Sequence, residues 1–142
     1  MTVLVDTSIW SLAIRRRRGD LNAREKSFVR EWIRLVESGQ AALIGPIRQE
    51  ILSGIRHESD FAVVRHRLSA FAYLPVLPQD YDQAAAFFNA CRAKGVTGTP
   101  IDLLICAVAD RRKVAIFTAD TDFELYAKHL PIRLHKPRKR KS

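Results

Sequence analysis

The sequence predicts an α/β fold, a single-domain three-layer α/β/α sandwich around a mainly parallel sheet of four to five strands. Two observations carry this reading. Short apolar runs at Val3–Val5, Ala41–Ile44, Tyr73–Leu77 and Val114–Thr118 alternate with longer segments whose apolar residues recur at helical spacing. The first run, rich in β-branched residues, is apolar throughout rather than at every second residue, as expected of a strand covered on both faces. With 142 residues, 47% of them hydrophobic, the chain builds one core and not two, and we expect a domain over 1–135 followed by a flexible basic tail over 136–142.

The elements follow in order. After Val3-Leu4-Val5, Ile9 to Ile14 reads as a short helix ended by the arginine run and Gly19. Asn22, with Glu25 three residues on, has the pattern of a capping box; Phe28, Trp32, Leu35 and Val36 then recur at helical spacing, and Gly39 supplies the stop. Gly45-Pro46 turns the chain after the second strand, and Ile47, Ile51 and Ile55 line one face of a short helix that carries Glu50. Ser59 or Asp60 caps the next helix, with Phe61, Val64, Leu68 and Phe71 on one face. Beyond the third strand, Asp80 begins a helix with Tyr81, Ala84, Phe88 and Cys91 inward, ended by Gly95. Gly98-Thr99-Pro100 opens the helix Ile101 to Arg111, Asp122 to Lys128 is a short last helix, and Ile132 to Leu134 is a weak edge strand.

Composition removes several function classes. No window is long and apolar enough to cross a bilayer and the N-terminus lacks a signal-peptide pattern, so a soluble, cytoplasmic protein is expected. Cys91 and Cys106 show no CxxC spacing and no neighbouring His, which points to small core residues rather than zinc, redox or disulfide chemistry. His57, His66, His129 and His135 are scattered among charged residues and read as surface histidines. GxSxG, P-loop and GxGxxG patterns are absent. The net charge of +9 lies in two runs, Arg15-Arg16-Arg17-Arg18 and Lys136, Arg138, Lys139, Arg140 and Lys141, while the other 15 basic residues match the 15 acids. Such arms suit the phosphates of a polyanion, or serve as a solubilising surface; no interleaved aromatics suggest base stacking.

Acids at strand ends carry the chemistry. Asp6 follows the first strand and Asp120 the fourth, so both reach one sheet edge if those strands are neighbours, and Asp122 lies two residues further on. Asp102 opens a helix that is otherwise apolar on every side and therefore buried. Converging buried carboxylates repel, and a hard cation, Mg²⁺ or Mn²⁺, relieves the repulsion. Glu50 is a fourth candidate for the same edge, and Thr7, Ser8 and Thr118 could orient the carboxylates. Taken singly, Asp6, Asp102 and Asp120 each also fit a helix-capping role, and Glu50 fits a solvated helix charge. Lacking a protein nucleophile, hydrolysis would use water activated by the cation. The other readings are a nucleic-acid-binding α/β domain with a structural cation, and a phosphotransferase with Asp6 as nucleophile; the latter would want a second acid where Ser8 stands.

Four blocks, Val3-Leu4-Val5-Asp6-Thr7-Ser8, the helix from Ile47 to Gly54 around Glu50, Thr99-Pro100-Ile101-Asp102 to Ala107, and Ile116-Phe117-Thr118-Ala119-Asp120-Thr121-Asp122-Phe123, resemble in order and spacing the signature blocks of PIN-domain nucleases. The size of the chain is similar to that of the VapC-type toxins of bacterial toxin–antitoxin pairs. The resemblance implies a PIN-like fold and an endoribonuclease dependent on Mg²⁺ or Mn²⁺ that cuts RNA such as tRNA or ribosomal RNA. It further implies a homodimer and a cognate antitoxin laid across a groove near the early helices, for which Trp10, Leu12 and Trp32 are candidates. By match, Asp6, Glu50, Asp102 and Asp120 are the acidic site, Asp122 is an additional metal ligand, and Ser8 and Thr118 support it. The arginine run and basic tail fall outside the family pattern and are read as RNA-binding.

Overall fold

Every strand of the sheet runs the same way. A computed structural model describes residues 1–15 and 18–139, without the side chains of Arg15 and Arg18. Within it β1 (Val3–Val5), β2 (Ala41–Leu43), β3 (Ala72–Tyr73) and β4 (Ala115–Phe117) pair in parallel in the order β3-β2-β1-β4. The chain steps outward from β1 to β3 and then returns to place β4 on the other side of β1, in register Val5 opposite Phe117. The strand order thus reverses between β1 and β4. At such a switch point the loops beyond the strands part in opposite directions, leaving a crevice for a ligand.

The helices are α1 (Thr7–Trp10), continued as one π-helical turn over Ser11–Arg15, then α2 (Ala23–Glu37), α3 (Gly45–Ser53), α4 (Glu58–Leu68), α5 (Pro78–Ala93), α6 (Pro100–Arg112) and α7 (Asp122–Ala127). β1 and β2 are buried along their whole length, which requires helices over both faces of the sheet. α6 is buried from Leu103 to Ala109 and lies in the core, as its all-round apolarity requires. Asn22 and Glu25 close the capping box of α2, and Gly39 takes the positive φ of 70° that ends it.

Several boundaries differ from the sequence reading. The first helix begins at Thr7 rather than Ile9, because Asp6 caps it through the Ser8 amide. The helix after the second strand includes Gly45-Pro46, with proline in its first turn, rather than following them as a turn. α4 starts at Glu58 behind His57, with neither Ser59 nor Asp60 as its cap. The third strand pairs only at Ala72–Tyr73, since Pro75 has no N–H for a ladder and Pro78 opens α5. In α5 Phe87 is buried and Phe88, expected inward, is half-buried against the core, while Tyr81 is 56% exposed. The fifth strand is reduced to a parallel bridge between Leu134 and Ile116. Trp10 and Leu12, expected on a docking groove, are core residues like Trp32; Trp10 donates its indole N–H to the Val5 carbonyl (2.9 Å) and packs edge-on against Trp32 and Phe71.

Asp80 does not begin α5 but sits in its first turn, 1% exposed. Burial pushes its carboxyl up, yet Arg111, donating through Nε (2.7 Å) and Nη2 (3.0 Å), and the Leu77 amide (2.8 Å) together hold it below its ordinary value. Arg111 also donates to the Pro75 carbonyl (2.8 Å), so one guanidinium ties the end of α6 to the start of α5. Arg111→Leu leaves that carboxylate buried without its cation, and we expect a loss of about 2–4 kcal/mol in a urea titration. An unchanged midpoint would show that the pair does not hold the helices together.

Candidate active site at the carboxyl edge of the sheet

Asp6 stands at the switch point. It leaves β1 directly beside β4, its amide donating to the Phe117 carbonyl (2.9 Å), and its carboxylate is only 5% exposed. One oxygen, Oδ2, receives the hydroxyls of Ser8 (2.8 Å) and Thr118 (2.8 Å), with the Ser8 amide at 3.4 Å. Burial nevertheless dominates and raises its pKa, the hydrogen bonds from Ser8 and Thr118 opposing. Ser8 Oγ also accepts from the Ala119 amide (3.0 Å), and Thr118 Oγ1 from the Asp120 amide (3.0 Å), so the two hydroxyls stitch β1 to the loop after β4. The capping role and the site role of Asp6 are one geometry, because a carboxylate at the start of α1 is also at the end of β1.

Asp102 comes from α6. Thr99 caps that helix, accepting from the Asp102 amide (3.1 Å), which leaves the Asp102 carboxylate, half-buried, to take a hydrogen bond from the Tyr126 hydroxyl (2.9 Å) on α7. Its pKa is pushed up to about 6, by burial first and then by repulsion from Asp6 and Asp120, against the pull of Tyr126 and Thr99. That repulsion places three carboxylates within one electrostatic neighbourhood. Burial and then the hydrogen bond to Asp102 push the Tyr126 phenol far up, so it stays protonated and remains a donor. Gly98 is needed beside this pair: a Cβ there would lie 2.2 Å from Leu103 Cδ2 and 3.2 Å from the Tyr126 ring.

Asp120 is half-buried and spends one oxygen on the Asp122 amide (2.9 Å), a turn that starts α7. Asp122 is exposed at the first residue of that helix, close enough to Tyr126 to act on its phenol. Glu50, exposed on α3, is tied to the same edge through Thr7, whose hydroxyl donates to its Oε1 (2.7 Å). The structure therefore gathers Asp6, Asp102 and Asp120 most closely, with Glu50 and Asp122 on the rim. Of the basic residues expected to hold RNA, Lys136, Arg138 and Lys139 are exposed; Arg16, Arg17, Arg140 and Lys141 lie outside the described residues, as do the side chains of Arg15 and Arg18.

Tyr126 is a site residue that strand and helix patterns did not reveal; its spacing from Phe123 marks only an inward helix face. His135, expected at the surface, is instead half-buried, its Nε2 donating to Glu31 Oε2 (2.6 Å) and its ring edge-on to Phe117. Both cysteines are free and buried, their thiols pushed up chiefly by burial, which removes them as nucleophiles.

The donor set suits a hard divalent cation. Among the described residues no three His, Cys, Asp or Glu side chains already stand at metal-ligating spacing.

Fold and site together define an α/β protein with a group of acids at the switch point of a parallel sheet. A family model described as PIN domain matches residues 3–129. The chain belongs to the PIN-domain family. Three solved structures share its fold at low identity. FitAcB from Neisseria gonorrhoeae superposes with a TM-score of 0.70 at 17% identity, covering 96% of this chain and 98% of that one. VapBC2 from Rickettsia felis, bound to a DNA fragment from its promoter, gives 0.71 at 18% identity over 95% and 98%. VapC20 from Mycobacterium tuberculosis, a sarcin-ricin loop cleaving toxin, gives 0.66 at 21% identity over 93% and 99%.

The crowding has a measurable sign. Asp102 titrates near 6 in the fold and near 3.8 in the unfolded chain, so between those values the folded state binds more protons and stability falls as pH rises. Above that window the penalty is complete, of order 1–3 kcal/mol. In chelator at neutral pH, Asp102→Asn should therefore melt higher than the parent, with the parent's loss of stability across that window reduced and the share due to buried Asp6 remaining. A variant that melts lower at neutral pH would show that Asp102 is not under repulsion.

Proposed function

We propose that this chain is an endoribonuclease dependent on Mg²⁺ or Mn²⁺, the toxin of a toxin–antitoxin pair, acting in the cytoplasm as a homodimer and restrained by a cognate antitoxin protein. The observation that carries the nuclease reading is the raised Asp102 beside Asp6 and Asp120 at the switch point. Structural carboxylates are normally placed where they are stabilised; Asp102 is instead raised by burial and then by Asp6 and Asp120, a penalty that a bound cation would offset. Two names among the structural neighbours, a toxin–antitoxin complex from Klebsiella pneumoniae and the sarcin-ricin loop cleaving toxin VapC20, support the biological setting. The sarcin-ricin loop named for VapC20 supports RNA as the substrate, which we take to be of the tRNA or ribosomal class.

Asp6, Asp102 and Asp120 would hold the cation, with Asp122 as an additional ligand and Glu50 as the fourth acid of the catalytic set. When bound, the cation supplies the acidification of water and the neutralisation of phosphate charge that phosphodiester hydrolysis needs. The remaining work belongs to the chain. Ser8 and Thr118 fix Asp6 Oδ2. Tyr126 fixes the carboxylate of Asp102 from α7, and Thr7 holds Glu50 at the rim. Preset oxygens need little reorganisation when the ligand arrives. Ser8 stands where an aspartyl-phosphate enzyme would need its second acid, and its hydroxyl is committed to Asp6 and to the Ala119 amide, which disfavours a covalent route.

A pool of cellular RNA incubated with the purified protein in Mg²⁺, in Mn²⁺ and in chelator tests this reading. Cuts should appear only with the cation and fall by more than about 100-fold in Asp102→Asn. RNA that is bound but uncut under every condition would make the chain the non-catalytic binding domain instead.

A further inference from the structure

The start of the basic tail is fastened to the domain. Glu31 faces inward from α2, 4% exposed, and holds Arg34 Nη2 (2.6 Å), His135 Nε2 (2.6 Å) and the Arg138 amide (3.4 Å). Burial opposes its ionisation, but Arg34, His135 and the Arg138 amide bring it down to about 2, so it is a carboxylate at any working pH. With His135 and Arg138 both fastened, the residues between and beside them cannot wander. They form one wall of a cleft of about 370 Å³ whose other wall is α2, with Phe28 and Arg30, and whose inner end is Thr118. Thr118 donates to Asp6, so one residue of the cleft lining is bonded to the acidic centre.

The lining selects the ligand. Arg30, Lys136, Arg138 and Lys139 face this space, and among the described residues the acid paired with any of their side chains is Glu124, loosely, at 3.4 Å from Lys136. Phe28 is the aromatic side chain that α2 gives to this lining, but it is buried, with the Arg24 guanidinium over its ring at 4.7 Å and Phe117 beside it at 5.8 Å, which leaves no open face for a base. Cations around a cleft without a stacking platform grip a sugar-phosphate backbone and ignore its sequence.

We propose that this cleft is the strand-guiding subsite of the nuclease, binding phosphates of single-stranded RNA to one side of the scissile bond, and that Glu31 is the positioning residue that shapes it. The proposal rests on the nuclease reading above and extends it to a substrate subsite. It makes a prediction that charge alone does not. Replacing Glu31 makes the protein more positive, so simple attraction would tighten RNA binding, whereas loss of the clasp weakens it.

The experiment uses the full chain carrying Asp102→Asn, so that RNA is not cut, and a labelled single-stranded oligoribonucleotide followed by anisotropy across a salt series. Replacing Lys136, Arg138 and Lys139 together by Ala should weaken binding by about 10–100-fold at low salt and flatten the slope of log K against log salt by about 2, near 0.7 for each lost phosphate contact. Glu31→Leu should also weaken binding, with a melting curve recorded beside it; if it does not fold, His135→Leu opens the same clasp from the tail side. In the cutting parent, the clasp variant should raise KM and leave kcat in place. An unchanged slope in the triple variant, or binding that is equal or tighter in the folded clasp variant, overturns the subsite. A parent that cuts no RNA while the slope still depends on the tail would remove the nuclease reading and leave the cleft as a backbone-binding site; a parent that cuts with KM indifferent to the tail removes the cleft alone.

Discussion

A carboxylate with almost no access to water must be matched or it forces its own protonation, and Asp6 is in that position at the centre of the molecule. The protein gives it two hydroxyls and no cation of its own. Those hydroxyls, Ser8 and Thr118, come from opposite sides of the switch point, so the bonds that satisfy Asp6 also lock β1 to the loop after β4. The fold depends on this arrangement. Strands of three residues have little ladder of their own, and their ends are held by what crosses beyond them.

Once Asp6 is fixed, Asp102 carries a penalty for its placement, from burial first and then from Asp6 and Asp120. Asp120 arrives with the loop that supplies Thr118, and Asp102 arrives because α6 is too apolar to lie anywhere except in the core, with its first turn at the same edge. Among the described residues, no basic side chain hydrogen-bonds or pairs with any of the three carboxylates. Elsewhere the same fold pairs its buried acids fully, Asp80 with Arg111 and Glu31 with Arg34 and His135. That contrast separates acids that stabilise the fold from acids kept for a ligand.

Much of this was legible in the order of residues. Asp6 and Asp120 announce themselves because a strand buried on both faces leaves its first polar residue at the carboxyl edge, and Asp102 because it alone interrupts an apolar helix. The strand order was not legible, since nothing local says that β4 returns beside β1. Tyr126, His135 and Glu31 were missed for one reason: each acts through a partner 24 or more positions away, and a tyrosine or histidine near the end of a helix or tail looks the same whether it meets a carboxylate or water. Trp10 and Leu12 were placed on a groove because apolar residues after the first strand can face either way; the core claimed both.

The central claim is that the crowded carboxylates at the switch point are a divalent-cation site. Anomalous diffraction from crystals soaked in Mn²⁺ tests it most directly. The account predicts a manganese peak at carboxylate distance from Asp6, Asp102 and Asp120, lost in crystals of Asp102→Asn. A map with no peak at that edge, or with manganese only at Glu31 or other acids outside it, would contradict it.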